Sequence, residues 1–157
     1  MIVTGWECVG CFSKQKGSQL LRTLDFSYSL YLHSGDWNSG VCPESRHYAL
    51  PLRAYQTMGA EAGVLSANKS FCSISQTALV ISCLKQAEYR STAILRLYNP
   101  APEEKSSKAN FAFPIKAAWE TNLNEQRQKQ IDLQESNGFY FSCPSNKIMT
   151  FEIDFSA

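Results

Sequence analysis

The sequence predicts an all-β chain organised as a β-sandwich with at most one short helix. Three observations lead there. From about residue 60 onward, short strand-like segments recur at fairly regular spacing with turn residues between them. The last of them, Ile148-Met-Thr-Phe151-Glu-Ile153-Asp-Phe155, alternates apolar and polar residues as a half-buried strand does. A composition that is 44% hydrophobic and 12% aromatic over 157 residues is enough to bury a core, which excludes a disordered chain.

Taken in order, residues 1–22 are poorly patterned and punctuated by Gly5, Gly10 and Gly17. Phe26-Ser-Tyr28-Ser-Leu30-Tyr-Leu32 then alternates with period two and predicts a strand. The turn-prone stretch His33 to Gly40 ends it. A short helix is allowed around Pro43 to Ala49, stopped by Pro51, because the residue before a proline disfavours the helical region. Ala78 to Leu84 is a continuous apolar run of the kind a doubly covered strand shows. Ala93 to Tyr98 follows as a strand interrupted by Arg96, and Asn99 to Lys108 reads as a polar, proline-bearing loop. Further strands are expected over 110–115, 117–121, 130–133, 139–142 and 148–155. Gln126 to Gln130 has helical propensity but is too short and too polar to need a helix.

Composition also limits function. Fifteen basic against fourteen acidic side chains give a net charge of +1, which carries no electrostatic footprint for nucleic acid or an anionic membrane. Charged residues make up only 18%, so the surface is expected to be partly covered by something. A complete barrel enzyme, which takes about 250 residues, is excluded by length. No apolar run approaches the roughly 18 residues that cross a bilayer, and no signal peptide is apparent. The six cysteines, at 8, 11, 42, 72, 83 and 143, form no compact disulfide framework. The expected setting is cytoplasmic with mostly reduced thiols, where the acceptor pattern Asn68-Lys69-Ser70 is accidental.

Few residue groups offer chemistry. Cys8-Val-Gly-Cys11 suits a zinc knuckle or a dithiol site, because two thiolates at this spacing can converge on one metal. Structural zinc needs four ligands, and Cys42 and His47 would have to arrive from elsewhere, so the pair is read as two ordinary cysteines. His33-Ser-Gly35-Asp36-Trp37 places an imidazole, a carboxylate and an indole at a strand end. Such a trio can contact a sugar, with the aromatic face on the ring and Asp36 on hydroxyls. The plainer reading is a turn in which Asp36 bonds local backbone, Gly35 takes positive φ and Trp37 is core. The carboxylates, Glu125, Glu152 and Asp154 among them, are expected in loops or at outward strand positions as solvated surface. No Ser–His–Asp triad or paired glycosidase carboxylates stand out.

The ordered segments resemble a known family. Phe26 to Trp37 is similar to the aromatic strand and H-x-G-D-W segment of bacterial family 38 glycoside hydrolases, the α-mannosidases and mannosylglycerate hydrolases. Val80-Ile-Ser-Cys-Leu-Lys85-Gln-Ala-Glu88 and Ile94-Leu-Arg96-Leu-Tyr-Asn99-Pro100 resemble the "S-x-L-K-x-A-E … L-R-L-Y-N" block of its C-terminal region. Ala118 to Glu125 resembles its "N-L-x-E" segment, and Pro144 to Phe151 its closing "P-x-K-I-x-T-F" strand.

The resemblance covers about residues 24 to 155; residues 1–22 depart from it. It implies a leader over 1–22, the tail of a larger β-domain (a supersandwich) over 23–60, and a small C-terminal sandwich over 61–157. Family 38 enzymes are retaining glycosidases that carry zinc ligands and a nucleophilic aspartate in an N-terminal α/β domain. No catalytic or metal residue of that domain carries over to this chain, so zinc is expected only in the catalytic domain. The resemblance thus implies a non-catalytic C-terminal β-domain. Its expected partner is a catalytic α/β domain in cis or in trans, or another copy of itself. The alternative is a free-standing carbohydrate-binding module that takes mannose-containing ligands through His33, Asp36 and Trp37.

Overall fold

The computed structural model describes residues 22–37, 40–56, 58 and 66–155. Cys8, Cys11 and the rest of the leader up to residue 21 lie outside the described residues. The chain divides into two compact units, Met1–Leu30 and Tyr31–Ala157. Of the first, residues 22–30 are described, and they enter no sheet. The strand expected over Phe26 to Leu32 is therefore not realised as part of a ladder. Alternation is a strong strand signal, but an isolated strand has no partner for its backbone N–H and C=O groups.

The second unit holds the sandwich. It opens with a helix, α1, Val41–Ala49. The helix begins two residues before the expected Pro43, since a proline in the first turn costs no intrahelical hydrogen bond. Gly40 precedes it at φ 91°, a conformation glycine takes without strain, and Leu50, directly before Pro51, ends it. Glu44 in the first turn and Arg46 and His47 in the last complement the helix dipole.

Eight strands follow among the described residues: β1 Cys72–Ile74, β2 Val80–Gln86, β3 Ala93–Tyr98, β4 Lys105–Phe111, β5 Ile115–Thr121, β6 Arg127–Ile131, β7 Gly138–Cys143 and β8 Ile148–Phe155. They form a three-stranded sheet in the order β1-β4-β7 and a five-stranded sheet in the order β2-β3-β8-β5-β6. All pairings are antiparallel. The two sheets share one core. Leu95, Leu97, Phe151, Ile153 and Ala118 from the larger sheet meet Ala109, Phe111, Phe139 and Cys143 from the smaller. The rings of Phe139 and Phe151 lie 5.2 Å apart, and those of Phe141 and Phe151 lie 5.0 Å apart.

Strand β4 departs from expectation, because Lys105 to Lys108 reads as loop in the sequence. Its inward positions are Ser107, Ala109 and Phe111, all buried. The first two are too small to register as an apolar alternation. Close packing across this sheet is set by Gly138. A Cβ there would stand 2.5 Å from the Ala109 carbonyl oxygen, so only glycine fits.

Strand β2 is the outer strand of the larger sheet and bulges between Ile81 and Cys83. Arg46 of α1 donates from Nη2 to the Ile81 carbonyl at 3.0 Å and to the Ser82 carbonyl at 3.3 Å. One side chain thus covers part of an edge that would otherwise be open to pairing. Among the described residues, no helix is long and apolar enough to cross a membrane.

Candidate functional site

The antiparallel register fixes which residues share the outer face of the five-stranded sheet. Lys85 opposes Ile94, Ile94 opposes Glu152, and Glu152 opposes Trp119. The neighbouring row runs from Cys83 through Arg96, Thr150 and Thr121 to Arg127. The β2–β3 turn and the β5–β6 turn flank this face. Together they enclose a cleft of about 580 Å³ lined by Lys85, Tyr89, Arg90, Arg96, Leu123 and Glu125 among others.

Beside this cleft lies Glu152, fully buried. Arg90 donates from Nε to its Oε1 and from Nη2 to its Oε2, each at 2.7 Å. Arg127 donates to the same two oxygens, at 2.7 Å from Nη2 and 3.2 Å from Nε. The Thr92 hydroxyl adds a contact of 2.8 Å to Oε1. Burial pushes the Glu152 carboxyl pKa up, but the hydrogen bonds from Arg127, Arg90 and Thr92 outweigh it and hold the value down at about 2. The Arg127 guanidinium also lies over the Trp119 ring at 3.5 Å, a cation–π contact that fixes its plane.

Glu125 is the second buried carboxylate. It sits at φ 61°, a left-handed position in the β5–β6 turn. Asn122 builds that turn: its Oδ1 accepts the backbone N–H groups of Asn124 and Gln126, each at 3.0 Å. So placed, Glu125 reaches across to the other turn. Its Oε1 lies 2.7 Å from Lys85 Nζ, and its Oε2 accepts the Glu88 backbone N–H at 2.8 Å. The Lys85 ammonium and the Glu88 amide hold its carboxyl below the ordinary range. Arg96 completes the face. It donates from Nε to the Thr150 hydroxyl and from Nη2 to the Leu123 carbonyl, each at 3.2 Å. The cleft is thus a fixed set of charges in which both buried carboxylates are fully engaged by donors.

The carboxylates are the main correction to the sequence reading. Glu125 and Glu152, expected on solvated surface, are buried. Glu152 does sit at an outward strand position, but Arg90, Arg127 and the flanking turns cover that face. Arg90, Thr92 and Arg127 carried no signal in the sequence. The residues that did carry one converge here. Lys85, Glu88, Arg96, Glu125 and Thr150 come from the segments that share the family resemblance, and they join in one network. Asn99 secures the same segments at the other end of the sheet. Its amide donates to the carbonyls of Cys143 and Pro144, each at 3.1 Å, and its backbone N–H to the Lys147 carbonyl at 2.9 Å.

The predicted sugar-contact residues lie away from this cleft's lining. The His33 ring stacks on Tyr31 with centroids 5.7 Å apart. Gly35 takes φ 85°, as the turn reading requires, and Asp36 is exposed. Trp37 is 50% exposed rather than core. It lines a separate cavity of about 330 Å³ with Cys42, Pro43, Thr77, Ala78 and Pro100. Among the described residues, no group of three or more His, Cys, Asp or Glu side chains could hold a metal ion.

A search of curated proteins finds no match to the chain. Residues 78–154 match the model of the glycosyl hydrolases family 38 C-terminal beta sandwich domain. The match spans β2 through most of β8 and with them the whole charged cleft. Residues 78–154 of the sandwich therefore belong to the family 38 C-terminal β-sandwich domains.

Proposed function

We propose that this chain is an accessory, non-catalytic β-domain of an α-mannosidase-like glycoside hydrolase, packing against a catalytic α/β domain in cis or on a separate chain. The state of the two buried carboxylates, Glu125 in the cleft and Glu152 beside it, carries this reading. Glycoside hydrolysis needs one carboxyl able to give a proton and another free to attack or to activate water. Glu152 is clamped by two arginines and Thr92, whose hydrogen bonds hold its carboxyl well below the ordinary range. Glu125 spends its oxygens on Lys85 and the Glu88 amide. Both serve to hold the two turns in place, and the turns present Tyr89 and Leu123, both well exposed, to a neighbour. The zinc and the nucleophile belong, on this reading, to the catalytic domain. A cytoplasmic setting fits the free thiols of Cys42, Cys72, Cys83 and Cys143.

The test is an assay of the purified chain on aryl α-mannosides with and without added zinc. No turnover above the blank is expected, and zinc-dependent hydrolysis would overturn the reading.

The half-exposed Trp37 beside its own cavity favours a second reading, a carbohydrate-binding module. Calorimetric titration with mannose decides it. Binding that Trp37→Ala abolishes would support this module, whereas no binding, or binding unaffected by that change, removes it.

A further inference from the structure

Two apolar features of the described chain remain uncovered. The first is a stripe. Phe26, Tyr28, Leu30 and Leu32 are 81%, 85%, 87% and 95% exposed, and Leu24 continues the spacing. The intervening residues are Asp25, Ser27, Ser29 and Tyr31. A segment with one apolar and one mostly polar face at period two is built for the edge of a half-buried sheet.

The second is a groove of about 440 Å³ beside the outer strand β2, lined by Phe71, Leu84, Phe111, Phe113 and Phe155 among others. Leu84 opposes Leu95 and so points to the core side of its sheet, yet it is 49% exposed. Phe71 and Phe113, whose rings are tilted with centroids 6.0 Å apart, are exposed to a similar degree. The cause is topological. Among the described residues β2 has no outer neighbour, and β1, the edge of the facing sheet, is only three residues long. Arg46 covers the β2 edge at Ile81 and Ser82, leaving the stretch from Cys83 to Gln86 beside the groove.

We infer that residues 24–32 act as a donor strand, adding to the free part of the β2 edge in a second copy of this chain with the apolar stripe in that copy's aromatic groove. The two surfaces match in pattern. A strand added there sends alternate side chains into the groove and the others to the outer face, which at Lys85 and Arg96 is polar like Asp25, Ser27 and Ser29. Among the described residues both stripe and groove are exposed, and a second copy supplies each with what it lacks. The exchange is reciprocal and closes as a two-fold dimer. Its size is sufficient: Phe26 and Tyr28 from both copies alone bury roughly 600–1,000 Å², most of the ~1,200 Å² at which specific interfaces begin.

This inference is independent of the accessory-domain reading and concerns a different surface. Its test uses the full chain in light scattering across a dilution series, with hydrogen exchange at matched concentrations. The expected result is a mass of two chains that falls to one on dilution. Amides of residues 26–32 should be protected roughly tenfold or more only at the higher concentrations. The double variant Tyr28→Asp/Leu30→Asp alters only exposed positions, so it should fold normally and remain monomeric, and Leu84→Asp in the groove should do the same. A monomer at every concentration overturns the inference. So does concentration-independent protection, which would mean closure within one chain, or a dimer indifferent to these substitutions.

Discussion

Arg90 Nε stands 2.7 Å from Oε1 of Glu152, although 62 residues separate the two in the chain. The same carboxylate holds Arg127 from the opposite flank of the sheet. Glu152 is therefore the point at which the β2–β3 turn, β6 and the central strand β8 are tied together. Removing it leaves two guanidinium groups facing each other over a sheet without a counter-ion. Glu152→Ala should destabilise the chain by about 3 kcal/mol, in the range for breaking a buried ion pair. Urea unfolding checks this. A loss below about 1 kcal/mol, the value of an exposed pair, would contradict it.

The same carboxylate gives the fold an acid limit. A glutamate held at about 2 in the folded chain, against an ordinary value of 4.5, stabilises the fold fully above the ordinary value. That contribution fades as pH falls from about 5 toward 2 and amounts to about 3 kcal/mol. Glu125, also held below its ordinary range, acts in the same direction. Stability measured by urea at pH 7, 5, 4 and 3 should fall most steeply below pH 5. In Glu152→Gln the slope should flatten, and an unchanged slope would show that other groups set the acid limit.

Glu125 joins the two turns through the Glu88 amide, at 2.8 Å. Glu125→Ala should therefore speed exchange of that one amide by roughly tenfold or more while amides in the central strand β8 change little. Exchange followed by NMR separates the two. If Glu88 is as protected in the variant as in the parent, the turns are held by something else.

Gly138 lies where β7 passes close to β4. An added methyl would meet the Ala109 backbone oxygen at 2.5 Å, and a backbone atom in a ladder cannot step aside cheaply. Gly138→Ala should cost about 1–3 kcal/mol by overpacking, in place of the small gain usual for removing a strand glycine. A thermal shift upward in this variant would contradict the register of β4 on β7.

Much of the sandwich was legible in the sequence. β8 announces itself by alternation, since Phe151 and Ile153 face the core, and β3 by its apolar run around Arg96. β4 was not legible, because its inward Ser107 and Ala109 are small enough for polar neighbours to dominate its composition. The strand signal at Phe26 to Leu32 was legible and yet has no ladder in the single chain, because alternation records what a segment can bury and not what lies beside it. The cleft was half legible. Lys85, Arg96 and Glu125 stood in segments with a family resemblance, whereas Glu152 looked like one more outward acidic residue.

By itself the sequence determined the fold class, the family of its sandwich and the absence of any bilayer-length apolar run, since these follow from periodicity, ordered motifs and composition. Only the tertiary structure decided which charges meet. Glu152 becomes a buried clamp because antiparallel register sets β8 between β3 and β5 and carries Arg90 and Arg127 over the same face. Burial and charge pairing depend on residues tens of positions apart, and no local pattern encodes them.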